Sequence, residues 1–169
     1  LPTGGGKSLL YQFPATYTKK ITVVISPLIS LMNDQCIYLN SKNIKTICLN
    51  SEMGILEASE YKNYKIIYTT PEFIISRLQI FESIKTNIGL FAIDEAHCVS
   101  QWSHDFRTSY LKLDIIQNVF KEIPLLAVTA TATPYVINDI CTLLNLQNAS
   151  KYLLGTRRTN LEINVTSKS

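Results

Sequence analysis

The sequence predicts an α/β domain, a parallel β-sheet with helices on both faces. Three observations carry that reading. Short, near-continuous apolar runs recur along the chain, helix-length amphipathic segments separate them, and four of the runs end in polar, non-random residues. Runs without polar alternation suit strands buried on both faces, and strand–helix–strand at this rhythm implies right-handed crossovers.

The elements follow in order. Behind the glycine-rich Thr3-Gly4-Gly5-Gly6-Lys7-Ser8, the stretch Leu9-Leu10-Tyr11-Gln12 is helix-like. Ile21–Ile25 is a compact β-branched run ending at Ser26-Pro27, and Lys45–Leu49 is a second strand. Lys65–Thr69 ends at Thr70-Pro71, Ile88–Ile93 ends at Asp94, and Leu125–Thr129 ends at Ala130-Thr131. Between them, Leu28–Leu39 places apolar residues at 28, 31, 32, 36 and 39, roughly a helical stripe. Pro71 opens a helix in its first turn, Glu72 complements the dipole, and the segment runs to about Phe81. Thr108–Phe120 and Thr133–Leu144 follow the same pattern, the latter with Pro134 just inside its start. Leu161–Val165 reads as a further strand or the start of another element, and no repeat or linker precedes about Ser150.

The 169 residues are 46% hydrophobic and 17% charged, enough for one domain with a sizeable core. No apolar run reaches the roughly 18 residues needed to cross a bilayer, and no secretory leader opens the sequence, so no membrane association is expected. The net charge of +3 permits nucleic-acid binding without arguing for it. Cys36, Cys48, Cys98 and Cys141 are too scattered for zinc-site spacing, so no zinc is expected; buried thiols in a reducing compartment are.

In a parallel α/β sheet, ligands bind beyond the carboxyl ends of the strands. Ser26-Pro27-Leu28, Thr70-Pro71-Glu72, Asp94-Glu95-Ala96-His97 and Thr129-Ala130-Thr131 all fall there, gathering hydroxyls, carboxylates and a histidine on one edge. The strongest local signal is Thr3–Ser8. Glycines let backbone N–H groups turn toward phosphate oxygens at the positive end of the next helix. Lys7 then reaches the β- and γ-phosphates and the Ser8 hydroxyl binds Mg²⁺. The first glycine of the usual phosphate-loop pattern is Leu1 here, and a plain flexible turn is the competing reading.

Asp94 after a buried strand can hold the same Mg²⁺, while Glu95 orients or deprotonates an attacking water. Adjacent carboxylates are also common on solvated surfaces, but a Mg²⁺-nucleotide site needs both the pair and the loop, and the sheet brings them together. Gln101-Trp102-Ser103-His104-Asp105-Phe106-Arg107 carries the single tryptophan. Its rings either stack on unpaired bases, with Arg107 on phosphate, or pack on the core four residues apart. His97 and His104 are too few for a metal set, and Arg157-Arg158 is by default a solvated basic pair.

In order, these segments resemble motifs I, Ia, Ib, II with its aromatic-rich loop, and III of the RecQ family of superfamily 2 DNA helicases. The stretches are Leu1–Ser8 with Tyr11-Gln12, Val24–Met32, Tyr68–Glu72, Asp94–Arg107 and Leu126–Thr133, nearly the whole chain. DEAD-box RNA helicases lack the aromatic loop and usually carry Ser-Ala-Thr where this chain has Thr129-Ala130-Thr131. Ser103 stands where the family usually has Gly, and Thr159 where it usually has Pro.

The resemblance implies a RecA-like P-loop NTPase lobe over residues 1–155, with 156–169 leading toward a second helicase lobe. It implies ATP and Mg²⁺ as cofactors, with ATP phosphates on Gly4, Gly5, Gly6, Lys7 and Ser8 and Mg²⁺ on Ser8 and Asp94. Lys7, Asp94 and Glu95 are the implied catalytic residues, and His97, Gln101, Thr129 and Thr131 the implied coupling residues. Trp102, Phe106 and Arg107, with the backbone-contacting Ser26 and Thr70 regions, would meet single-stranded DNA, and the parent would act on forked or partial-duplex DNA. The family's adenine motif and the strand delivering the phosphate loop would precede Leu1, and the second lobe would follow Ser169. The expectation is a 3′-to-5′ DNA helicase of repair and recombination, nuclear in a eukaryote and otherwise intracellular, whose first lobe alone has little or no activity. An RNA helicase, another P-loop ATPase, or a nucleotide-gated binding module without unwinding are the alternatives.

Overall fold

The computed structural model describes residues 6–52, 56–146 and 148–154. Gly4, Gly5, Arg157, Arg158, Thr159 and the Leu161–Val165 segment lie outside them. Five strands, β1 (Ile21–Ile25), β2 (Thr46–Leu49), β3 (Ile66–Thr69), β4 (Ile88–Ile93) and β5 (Leu125–Ala127), form one sheet in the order β2-β3-β1-β4-β5. Every pairing is parallel. The β-branched runs of β1 and β3 are buried throughout, as strands covered on both faces require. β5 lies at the edge of the sheet and is only partly buried.

Helices cover both faces. On one, α1 (Leu9–Tyr17) and α2 (Ile29–Ser41) bury Tyr11, Ala15, Met32, Cys36 and Leu39 against Val24, Ile66, Tyr68 and Ala92. On the other, Phe73, Ile74, Phe81, Tyr110, Leu113, Ile116, Val136 and Ile140 pack on Val23, Ile67, Phe91 and Ile93. The alternation of Val23 and Val24, and of Phe91 and Ala92, between the two cores is the two-residue strand period. Three of the four cysteines are buried thiols; Cys141 is partly exposed, and all four are free. No helix among the described residues is long and apolar enough to cross a membrane.

Three predicted helices take a different form. The segment opened by Pro71 is two helices, α4 (Pro71–Ser76) and α5 (Leu78–Ser83), broken at Arg77 (φ −127°, ψ 33°). Next to the break, the Ser76 hydroxyl donates to the Phe73 carbonyl at 3.0 Å, and the Arg77 N–H bonds the same carbonyl at 2.9 Å. Thr108–Phe120 begins as a 3₁₀ turn (Thr108–Lys112) before the short α6 (Asp114–Val119). The tighter winding aligns residues three apart, so Tyr110 and Leu113 both reach the core. The helix-like stretch after Ser8 extends through Pro14 to Tyr17, and a one-turn helix α3 (Ala58–Tyr61) has no counterpart in the sequence reading. The last helix, α7 (Pro134–Leu143), starts as predicted, with Thr133 accepting from the Val136 N–H at 3.4 Å.

Pairing sets the strand ends level. Leu49 pairs with Thr69, Thr69 with Ile25, Ile25 with Ile93, and Ile93 with Ala127. Asn50, Thr70, Ser26, Asp94 and Val128 therefore form the next row, the polar carboxyl edge. At the other end, Gly89 is where Lys20 crosses: a Cβ there would stand 2.8 Å from Lys20 Cβ.

Candidate active site and nucleic-acid interface

The predicted phosphate loop and carboxylates do meet. Gly6 has φ +74°, the left-handed backbone that glycine adopts without strain, and its carbonyl accepts from the Leu9 N–H at 3.0 Å to start α1. Ser8 occupies the N-cap, yet its hydroxyl makes no capping bond, and the first turn of α1 holds no acidic residue. The N-terminus of α1, with no acidic residue in its first turn, presents its dipole to an anionic ligand. Lys7 lies close enough to act on both carboxylates, favouring their charged forms.

Asp94 is held on every side. Its N–H donates to the Ile25 carbonyl at 2.8 Å, and its own carbonyl accepts from the Tyr110 hydroxyl at 2.8 Å. One carboxylate oxygen accepts from the Glu95 N–H at 2.9 Å and the other from the Tyr11 hydroxyl at 3.3 Å. Ser8 lies close enough to the Tyr11 hydroxyl to favour its charged form, so one side chain stands near both residues predicted to share a Mg²⁺. Burial raises the Asp94 carboxyl above its ordinary range, opposed by the hydrogen bonds from Glu95 and Tyr11 and by the charge of Lys7. Burial likewise raises the Glu95 carboxyl, with Asp94 adding to the effect. The same environment pushes the Tyr68 hydroxyl up to about 12 despite its bond from Gln12.

Glu95 has φ 50° and ψ 44°, a left-handed conformation that costs a non-glycine residue energy. The turn separates two adjacent carboxylates: Asp94 stays inside the strand end, while Glu95 reaches His97 Nδ1 at 3.3 Å. His97 is itself buried. The same Nδ1 lies 2.7 Å from Thr129 Oγ1, and Nε2 lies 3.2 Å from Asp105 Oδ2. One imidazole thus touches Glu95 of the carboxylate pair, the segment after β5 and the aromatic loop. Thr129 hands on the connection by donating to the Thr131 carbonyl at 3.0 Å, and Ala96 N–H bonds the Val128 carbonyl at 3.0 Å.

Other predicted residues fall differently. Trp102 is 70% exposed, which removes the core-packing alternative for it, while Phe106 is half-buried and Arg107 exposed. Gln101 is exposed, and its side chain makes no hydrogen bond among the described residues. Ser26 and Thr70 are buried. The Thr70 hydroxyl accepts from the Phe73 N–H at 3.2 Å to cap α4, whereas Ser26 Oγ has no partner. At these two strand ends, a ligand outside the sheet would meet mainly backbone. Burial lifts the Cys98 thiol to about 11, with Arg107 pulling it the other way.

Tyr110, Asp105, Ser100 and Asp139 also build the site, and sequence reasoning gave none of them a role. Ser100 Oγ donates to Asp139 Oδ2 at 2.6 Å and accepts from the Trp102 N–H at 3.2 Å, fastening the aromatic loop to α7. A short polar residue at position 100, just before the single Trp, was the available signal; nothing in the sequence pairs it with Asp139. Two surface hollows lie at the amino end of the sheet around Lys121–Pro124, away from these residues. The carboxyl edge is open, and the chemistry identifies it better than concavity does.

A parallel sheet that brings a Gly-Lys-Ser turn against an Asp-Glu pair at its carboxyl edge defines a nucleotide-binding lobe of the P-loop class. A family model for DEAD/DEAH box helicases matches residues 1–140, and the chain belongs to that family. It is 40% identical over 173 residues to the mouse (Mus musculus) bifunctional 3′-5′ exonuclease/ATP-dependent helicase WRN, a match spanning 100% of this chain and 12% of that protein. It is 44% identical over 174 residues to the ATP-dependent DNA helicase RecQ of Bacillus subtilis (strain 168), covering 98% of this chain and 29% of that one. The resemblance to RecQ helicases read from the motifs is therefore borne out. The helicase domain of Pyrococcus furiosus Hef shares the fold, with a TM-score of 0.60 at 22% identity over 85% of this chain and 32% of that chain. The chain thus spans less than a third of the length of each of these two relatives.

Proposed function

We propose that this chain is the first ATPase lobe of an ATP-dependent 3′-to-5′ DNA helicase, coupling hydrolysis to duplex unwinding in DNA repair and recombination. Residues 1–155 form the lobe and 156–169 lead toward a second one. In a eukaryote the protein would work in the nucleus. The observation that carries the reading is the run of contacts Tyr11–Asp94, Glu95–His97–Thr129 and His97–Asp105, with Tyr11 in the first turn of the helix that Ser8 caps. It joins a phosphate-binding turn to a carboxylate pair, and that pair to a loop bearing an exposed tryptophan.

The residues fit a Mg²⁺ ion. Ser8 and Asp94 offer hard oxygen donors, and Tyr11, in the first turn of the helix that Ser8 caps, bonds Asp94. Among the described residues no group of three or more His, Cys, Asp or Glu is arranged to hold a metal ion by itself, and Mg²⁺ on a nucleotide needs none, since phosphates and water complete its shell. When bound, the ion neutralises charge on the β- and γ-phosphates. The chain's own residues do the rest. Lys7 and the N-terminus of α1 hold the phosphates. Glu95, oriented by its left-handed turn and by His97, takes the proton of a water whose oxygen attacks the γ-phosphorus. The bond to the bridging oxygen breaks, and ADP and phosphate leave.

ATP turnover by the whole helicase, with oligothymidylate or oligouridylate added, tests the proposal. DNA is expected to stimulate turnover, and partial duplexes with a 3′ tail are expected to unwind in preference to those with a 5′ tail. Stimulation by RNA alone overturns the DNA reading. The 169-residue chain alone is expected to turn over little ATP, and robust DNA-stimulated hydrolysis by it contradicts that expectation.

A further inference from the structure

Trp102 does not stand alone. Its ring stacks on that of Tyr135, with centroids 5.3 Å apart and planes inclined by 29°. Tyr135 belongs to α7, which faces the core through Val136 and Ile140. Tyr135 lies off that stripe and is 68% exposed, nearly as open as Trp102. Two large rings that touch each other yet both stay mostly exposed keep their outer faces free.

The pair is also held in place. Ser100 bonds Asp139 of α7 and the Trp102 N–H, so the loop carrying one ring is fastened to the helix carrying the other. Pro134 and the Thr133 cap fix the start of α7 next to Tyr135. Rings ordered before a ligand arrives lose little entropy on binding. Exposed Arg107 supplies a positive charge from the same loop. An anchored pair of stacked rings with open outer faces suits an unpaired nucleobase.

We infer that Tyr135 and Trp102 together form a two-ring platform on which an unpaired base of single-stranded DNA stacks, so that α7 is part of the nucleic-acid interface. This rests on the helicase reading above, and it adds a residue from outside the aromatic loop. It also gives the DNA a second route to the β5 end, because α7 follows directly on Thr129–Thr133.

The chain reports on the platform itself, since Trp102 is its single tryptophan. Oligothymidylate is expected to quench Trp102 emission on binding. Tyr135→Ala is expected to weaken that binding about fivefold or more, and Tyr135→Phe to keep it, because base stacking needs the ring and not the hydroxyl. An abasic strand of the same length is expected to bind the wild type more weakly, and Tyr135→Ala no differently from the wild type. Labelled oligothymidylate then tests Tyr135→Ala in a Trp102→Ala background, where a further loss is expected. Wild-type affinity in Tyr135→Ala overturns the inference, as does equal binding of abasic and normal strands. So does the absence of a further loss in the Trp102→Ala background, which reduces Tyr135 to a support for Trp102. Failure of the wild type to bind any strand refutes the DNA reading itself, a result separate from failure of the tyrosine variant alone. Thermal melting confirms that each variant is folded.

Discussion

Asp94 and Trp102 are close in sequence and live in opposite surroundings. Asp94 ends a buried strand, with both carboxylate oxygens, its N–H and its carbonyl all engaged. Trp102 sits in an irregular turn, 70% exposed, held by one backbone bond and one stacked ring. Under the proposed function, the contrast divides the lobe's tasks. Phosphoryl chemistry needs charges fixed in a dry, low-dielectric setting. A strand that must leave and return needs an open surface whose affinity comes from stacking. His97 lies between them, buried like Asp94 and bonded like the loop.

Substitutions in the two regions should therefore fail in different ways. The largest effect is expected at the carboxylates. Glu95→Gln should lower ATP turnover of the whole helicase about 100-fold or more, as loss of a general base does. Its affinity for oligothymidylate should be retained. Trp102→Ala should do the reverse, weakening DNA binding about tenfold while leaving turnover without DNA unchanged, as read by titration and steady-state assay.

The smaller effects concern stability. Asp139→Ala removes the acceptor of the buried Ser100 hydroxyl and should cost roughly 1–3 kcal/mol in urea unfolding. Ser100→Ala in the same background should recover part of that. The pH dependence follows from burial of the two carboxyls. Their folded-state values lie above the ordinary range, so the folded state holds protons that the unfolded chain has released. Ligand-free stability should thus fall as pH rises from the ordinary carboxylate range through the raised values, and stay lower above them. Asp94→Asn should raise the Tm slightly at neutral pH, with the gain vanishing in acid, where Asp94 is already protonated.

The same comparison explains what could be read from sequence. β1, β3 and β4 were legible because burial on both faces leaves uninterrupted apolar runs such as Ile21–Ile25 and Ile66–Thr69. The polar residues after them were legible because parallel pairing with level ends must place them in one row. The break at Arg77 was not, since no Gly or Pro stands within Phe73–Phe81 to mark it. Nor was the 3₁₀ start at Thr108, where the buried Tyr110 overrides a helical pattern. At the site, Lys7, Ser8, Asp94 and Glu95 announce themselves by type and spacing. Tyr11, Tyr110 and Asp139 do not. Their roles come from long-range contacts that no local spacing encodes, and Tyr11, though it falls within the motif I stretch, carries no sign of its bond to Asp94.

The central claim is that a buried hydrolytic edge and an exposed stacking surface communicate through His97. The ratio of ATP turnover with saturating oligothymidylate to turnover without it, measured for His97→Asn in the whole helicase alongside its DNA affinity, tests this most directly. The account predicts that unstimulated turnover and DNA affinity persist while the ratio falls close to one. A ratio equal to that of the wild type, or a loss of DNA affinity in step with stimulation, would contradict it.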